Sequence, residues 1–171
     1  MRKIRFLTLT VAAWLAAGGF STAADFMVHL RGSEEVPPRD TKAQGTAVLE
    51  LSDDGQSLHF RLIVANIDNV VLAHLHRAPA GTNGGIVVNL FLGGVAGSGR
   101  FNGILAEADI TAADLIGTLA GAPLESLLSE IEAGNIYLNV HTNDGVDPTN
   151  TGPGDFPGGE IRGQVRAVED D

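Results

Sequence analysis

Gly45-Thr46-Ala47-Val48-Leu49-Glu50-Leu51-Ser52-Asp53-Asp54-Gly55-Gln56-Ser57-Leu58-His59-Phe60-Arg61-Leu62-Ile63-Val64 decides the fold. Two runs of alternating character flank a turn. In the first, Ala47, Leu49 and Leu51 share one face. In the second, Leu58, Phe60, Leu62 and Val64 share one face, with His59 and Arg61 opposite. A period of two is the signature of a half-buried strand. Ser52-Asp53-Asp54-Gly55 supplies the turn, because Asp-Gly accepts the positive φ that tight hairpins require. The stretch therefore predicts an antiparallel hairpin with one face on a core.

The same pattern extends outward. Phe26, Val28 and Leu30 alternate along a preceding strand, which Gly32-Ser33 and Val36-Pro37-Pro38 interrupt. Glu34-Glu35 in that interruption reads as a solvated turn, since adjacent residues on an extended segment point apart. Further strands are expected at Val70 to Arg77, Ile86 to Leu92, Arg100 to Ala108, Asn135 to Thr142 and Gly159 to Val168. In the last of these, Ile161, Gly163, Val165 and Ala167 share the inner face. Gly-rich loops at Ala78 to Gly85, Gly93 to Gly99 and Asn143 to Gly158 separate them. Helical spacing occurs in two places. Thr111 to Leu119 is short with Thr111 as N-cap, and Pro123 to Glu132 carries Leu124, Leu127, Leu128 and Ile131 before a Gly134 stop. Many short strands with tight turns and no regular strand–helix alternation predict an all-β fold. It is an antiparallel Greek-key β-sandwich or barrel, with one or two short helices inserted before the penultimate strand.

Residues 1–24 stand apart from that domain, which spans 25–171. Arg2, Lys3 and Arg5 precede an apolar run from Phe6 to Phe20, and Ser21-Thr22-Ala23-Ala24 offers small residues for cleavage. This is the pattern of a secretory signal peptide, too short for a comfortable membrane span. Export to the periplasm or the extracellular space follows as an expectation. The whole chain has a net charge of −10, and the leader takes three basic residues and no acidic ones. An acidic domain with no basic tract excludes nucleic acid as a partner and is repelled by anionic lipid. No stable membrane insertion is expected after cleavage. The absence of cysteine leaves packing, or a bound ion, to supply stability without disulfides.

Ala73-His74-Leu75-His76 and Asn139-Val140-His141-Thr142 carry the candidate chemistry. Two histidines two apart on a strand project from one face with Cβ atoms about 7 Å apart. Ile136, Leu138 and Val140 must face the core, so Tyr137, Asn139 and His141 share the opposite face. Glu160, Arg162 and Gln164 likewise oppose Ile161 and Val165. His74, His76 and His141 thus fall on the outer wall as a candidate three-nitrogen metal site, beside the two loops that can fold over it. Imidazole ligands suit copper or zinc, and three protein ligands leave an open position. Asn139, Glu160 or Asp144 can orient the rings. Arg162 can steer an anion or, the favoured role, pair with Glu160 or Asp155. The competing reading has the histidines binding carbonyls and pinning the loops. His29 and His59 read as plain surface residues. Asp144, Asp147 and Asp155 lack the calcium-loop spacing. No catalytic residue is assigned, and no nucleophile elbow, phosphate loop or zinc-protease motif occurs.

Six ordered motifs resemble those of a CHRD domain, the module named after chordin. They are Gly32-Ser33-Glu34-Glu35-Val36-Pro37-Pro38, Leu51-Ser52-Asp53-Asp54-Gly55, Ala73-His74-Leu75-His76, Gly81-Thr82-Asn83-Gly84, the stretch Gly134 to Thr142 and the stretch Gly158 to Val165. The resemblance covers about residues 26 to 168, with Glu34 where the family often has Asn. It implies an exported, all-β sandwich, so that the expected fold is immunoglobulin-like or superoxide-dismutase-like, and no defined activity for single-domain microbial members. The set His74, His76, His141 and Arg162 is also similar to the copper ligands and active-site arginine of copper/zinc superoxide dismutases, which are Greek-key barrels. No fourth copper ligand, zinc cluster or disulfide accompanies it. Three functions follow as expectations. The first is an exported domain that binds copper or zinc. The second is a metal-free module for an extracellular or periplasmic protein or polymer. The third is a dismutase-like oxidoreductase.

Overall fold

In a computed structural model the described residues are 26–168; the expected signal peptide lies outside them. Nine strands form one antiparallel sheet: β1 (Phe26–Arg31), β2 (Gln44–Leu51), β3 (Leu58–Asp68), β4 (Val70–Arg77), β5 (Gly85–Phe91), β6 (Arg100–Ile110), β7 (Ile136–Thr142), β8 (Ile161–Gln164) and β9 (Arg166–Ala167). The hairpin is as expected. Leu49 pairs with Phe60 and Ala47 with Leu62, and Gly55 takes a φ of 68° in the turn.

Strand order is β5-β4-β7-β8-β1-β2-β3-β6, with β9 on β1. One residue, Asn69, joins β3 to β4, yet these strands lie in opposite halves of the sheet. Asn69 takes a φ of 55°, a conformation asparagine tolerates better than most residues. That tight corner draws the two halves face to face and curls the sheet into a nearly closed barrel. The non-sequential neighbours β4–β7 and β3–β6 are its Greek-key crossovers.

The alternating faces converge inside. Leu30, Leu49, Leu62, Leu75, Leu138 and Ile161 are at most 1% exposed. The helix α1 (Leu124–Glu132) adds Leu124, Leu127 and Ile131 to the same core. The expected helix at Thr111 is two short 3-10 turns, Ala112–Asp114 and Gly117–Leu119. Thr111 does cap the first, in a capping box with Asp114.

The final strand departs from expectation. It breaks at Val165, whose N–H donates to the carbonyl of Ile136. Only Arg166–Ala167 resumes pairing, on β1. Ala167 is therefore exposed, while Ile161, Gly163 and Val165 face inward as expected. The split places the helix before the third-last strand. Gly163 is required here, because a Cβ would lie 2.0 Å from the His29 carbonyl oxygen.

Candidate metal centre

The registers of β4, β7 and β8 lay out a small grid on the face turned away from the core. His74 pairs with Asn139 and Asn139 with Arg162; His76 pairs with Tyr137 and Tyr137 with Gln164. Leu72 pairs with His141, and the Glu160 N–H donates to the Val140 carbonyl, bringing Glu160 alongside. The parity expected from the sequence holds at each position. This wall is nevertheless not open to solvent. His74, His76 and His141 are 4%, 7% and 8% exposed, because residues 78–84 and 143–159 fold over them.

Each loop is held by the wall it covers. His76 Nδ1 bonds the Gly84 carbonyl at 2.9 Å, and His141 Nδ1 bonds the Pro157 carbonyl at 2.8 Å. A carbonyl only accepts, so both Nδ1 atoms carry the proton and both Nε2 atoms present a lone pair. His141 Nε2 lies 3.1 Å from His74 Nδ1, and His76 Nε2 has no hydrogen-bond partner. Ligand atoms of the three residues all fall within 4.8 Å of one another. Three imidazoles bound to one ion at 2.0–2.1 Å stand about 3.3 Å apart, so small ring movements suffice. Among the described residues no other group of three metal-binding side chains converges in this way.

Electrostatics keep the rings neutral. Burial, with His141 and His76 nearby, pushes His74 down to about 4. Burial also lowers His76, assisted by Arg162 and opposed by the bond to Gly84 and by the Asn139 side chain. His141 is lowered by burial, against the bond to Pro157. Neutral imidazole is the metal-binding form, so little proton displacement opposes an ion near neutral pH.

The remaining candidates divide. Asn139 lies against His76, with its Oδ1 unpartnered. Glu160 is fully buried but serves the loop: it accepts from Thr41 Oγ1, Thr142 Oγ1 and the Gly154 N–H. Asp144 accepts from the Val146 N–H and orients no imidazole. Arg162, 2% exposed, departs from the expected ion pair. It donates to Asn83 Oδ1 at 3.0 Å and to the Thr82 carbonyl at 2.8 Å, clamping the 78–84 loop. Its guanidinium lies 3.4 Å over the Tyr137 ring, which stacks on His76 at 4.8 Å and 8°. Asp155 is buried and accepts from Thr151 instead. His29 contacts Thr46, and His59 contacts Asp109 and Glu107, both away from the site.

Sequence reasoning missed Glu35. It is 4% exposed rather than solvated, because the chain doubles back: the N–H groups of Glu35 and Arg39 both donate to the Gly32 carbonyl. Asn83 Nδ2 then ties Val36 to the covering loop. Burial raises the Glu35 carboxyl to about 7, against the pull of Arg162 and Arg39. The local signal was a glycine and two prolines, which mark a turn whether it faces water or protein.

Fold and site together define an antiparallel β-barrel domain with a loop-covered histidine cluster on its outer wall. The chain belongs to the CHRD domain family, whose model matches residues 26–165. No curated protein and no solved structure is significantly similar. Among the described residues no helix is long and apolar enough to cross a membrane.

Proposed function

We propose that this CHRD-domain protein is exported and binds a transition metal, copper or zinc, through His74, His76 and His141. One observation carries the reading: ligand atoms of three buried imidazoles converge within 4.8 Å of one another, with His141 Nε2 meeting His74 Nδ1 at 3.1 Å and His76 Nε2 having no hydrogen-bond partner. A buried polar atom without a partner costs free energy, and an ion removes that cost. The two carbonyl bonds fix ring orientation and tautomer as the outer supports of metal sites do. Three nitrogen donors with no carboxylate among them favour borderline ions over calcium or magnesium. The acidic N-terminally trimmed chain and the leader pattern support export. The dismutase-like alternative lacks an anion guide, because both terminal nitrogens of Arg162 are engaged by the covering loop.

The test is metal content. Protein lacking residues 1–24, stripped with chelator and reloaded with copper or zinc, is expected to retain about one ion per chain after gel filtration. The His74→Ala/His76→Ala double variant is expected to retain none. Equal retention by the double variant ends the reading.

A further inference from the structure

Among the described residues, five buried side-chain polar atoms lack a hydrogen-bond partner: Glu35 Oε1, Arg39 Nε, His76 Nε2, Asn139 Oδ1 and Asp155 Oδ1. Three of them belong to one neighbourhood. A Cβ on Gly159 would lie 2.5 Å from Glu35 Oε1 and 2.9 Å from Asn139 Nδ2. Asn139 in turn lies against His76 and sits in register between His74 and Arg162. Glu35 Oε1 and the Asn139 amide thus converge closely on the bare backbone of Gly159, and Asn139 links that pair to His76. Buried polar groups in native proteins find partners, from protein or from a small bound molecule.

We propose that Glu35 and Asn139 hold the small exogenous ligand of the metal, water or a monoanion, at the position the three histidines leave open. This rests on the metal reading above and assigns that site its positioning groups. The Asn139 amide offers both a donor and an acceptor. The Glu35 carboxyl offers a donor when protonated and an acceptor when ionised, and its proton affinity lies near neutrality. The charged groups around it are few. Arg162 on β8 and Arg39 on the 32–39 turn pull on it. Glu160 is bound to Thr41, Thr142 and Gly154, and Asp155 to Thr151. The histidines of β4 and β7 are neutral near pH 7.

The probe is azide, titrated into copper(II)-loaded wild type, Glu35→Gln and Glu35→Ala, with the azide-to-copper charge-transfer band as readout. All three are expected to hold about one copper per chain. At pH 5, where the carboxyl keeps its proton, Glu35→Ala is expected to bind azide about tenfold more weakly, the loss of one hydrogen bond. Glu35→Gln, which keeps a donor, stays within about threefold of the wild type by the same reasoning. Wild-type affinity falls as the carboxylate forms and repels the anion, at a pH below the metal-free midpoint because bound copper favours the ionised form. That inflection is absent from Glu35→Gln, whereas one due to metal-bound water persists in both. Identical pH profiles for wild type and Glu35→Gln overturn this inference alone, and suffice if Glu35→Ala fails to fold. A wild type that takes up neither copper nor zinc overturns the metal reading and this inference with it.

Discussion

Replacing Glu35 by Gln is expected to stabilise the metal-free protein at alkaline pH and to do nothing at acid pH. The carboxyl is 4% exposed and binds its proton at about 7 when folded, against 4.5 when unfolded. Between those values the folded state holds more protons than the unfolded state, so stability falls as pH rises through the window. At 1.36 kcal/mol per pH unit, the full cost at pH 8 is about 3 kcal/mol. Glutamine keeps the shape and a donor but has no proton to lose. The variant should therefore match the wild type near pH 4 within about 1 kcal/mol and exceed it by about 3 kcal/mol at pH 8. For a domain of this size that is a rise in Tm of about 6–12 °C. Urea unfolding followed by circular dichroism, at a series of pH values in chelator, measures it. A stability gap that stays constant from pH 4 to 8, or a variant less stable at pH 8, refutes the reasoning.

The histidines act with the opposite sign. His74 takes a proton at about 4 folded and 6.5 unfolded, so the stability conferred by its neutral ring is intact above 6.5 and lost towards pH 4, about 3 kcal/mol in all; in a Glu35→Gln background, adding His74→Phe should make this acid limb shallower, with His76 and His141 supplying the remainder. Gly159→Ala should cost about 1–3 kcal/mol in urea unfolding, because residue 159 has a φ of 123° and its Cβ would strike Glu35 and Asn139. The same variant should alter the azide band of copper-loaded protein without changing copper stoichiometry.

Parity along strands made the histidine wall legible. Ile136, Leu138 and Val140 leave His141 no choice of face once the segment is a strand, and the same argument fixes His74 with His76. What parity does not give is neighbourhood. That β7 lies beside β4, across some sixty residues of chain, depends on the β3–β4 corner at Asn69 and on how the halves of the sheet meet. Long-range packing also buried Glu35 and split the last strand at Val165. The residues flanking Glu35 report only that the chain turns, and the Val165 break follows from its bond to Ile136.

Charge sets a further condition on the site. The three rings bring no negative charge, and Arg162 disfavours positive charge at His76. Glu160 and Asp155 are occupied with the 143–159 loop. Glu35 is then the nearby acid left to balance a divalent ion, and it does so only when ionised. A cation in the pocket favours the carboxylate, so occupancy by the ion and loss of the Glu35 proton reinforce one another. The same carboxylate that weakens the empty fold above pH 7 would add to copper affinity there, an increment that Glu35→Gln loses while still filling to one copper per chain. An acid buried beside Arg39, Arg162 and Asn139 at a cost in stability fits the binding role proposed for it.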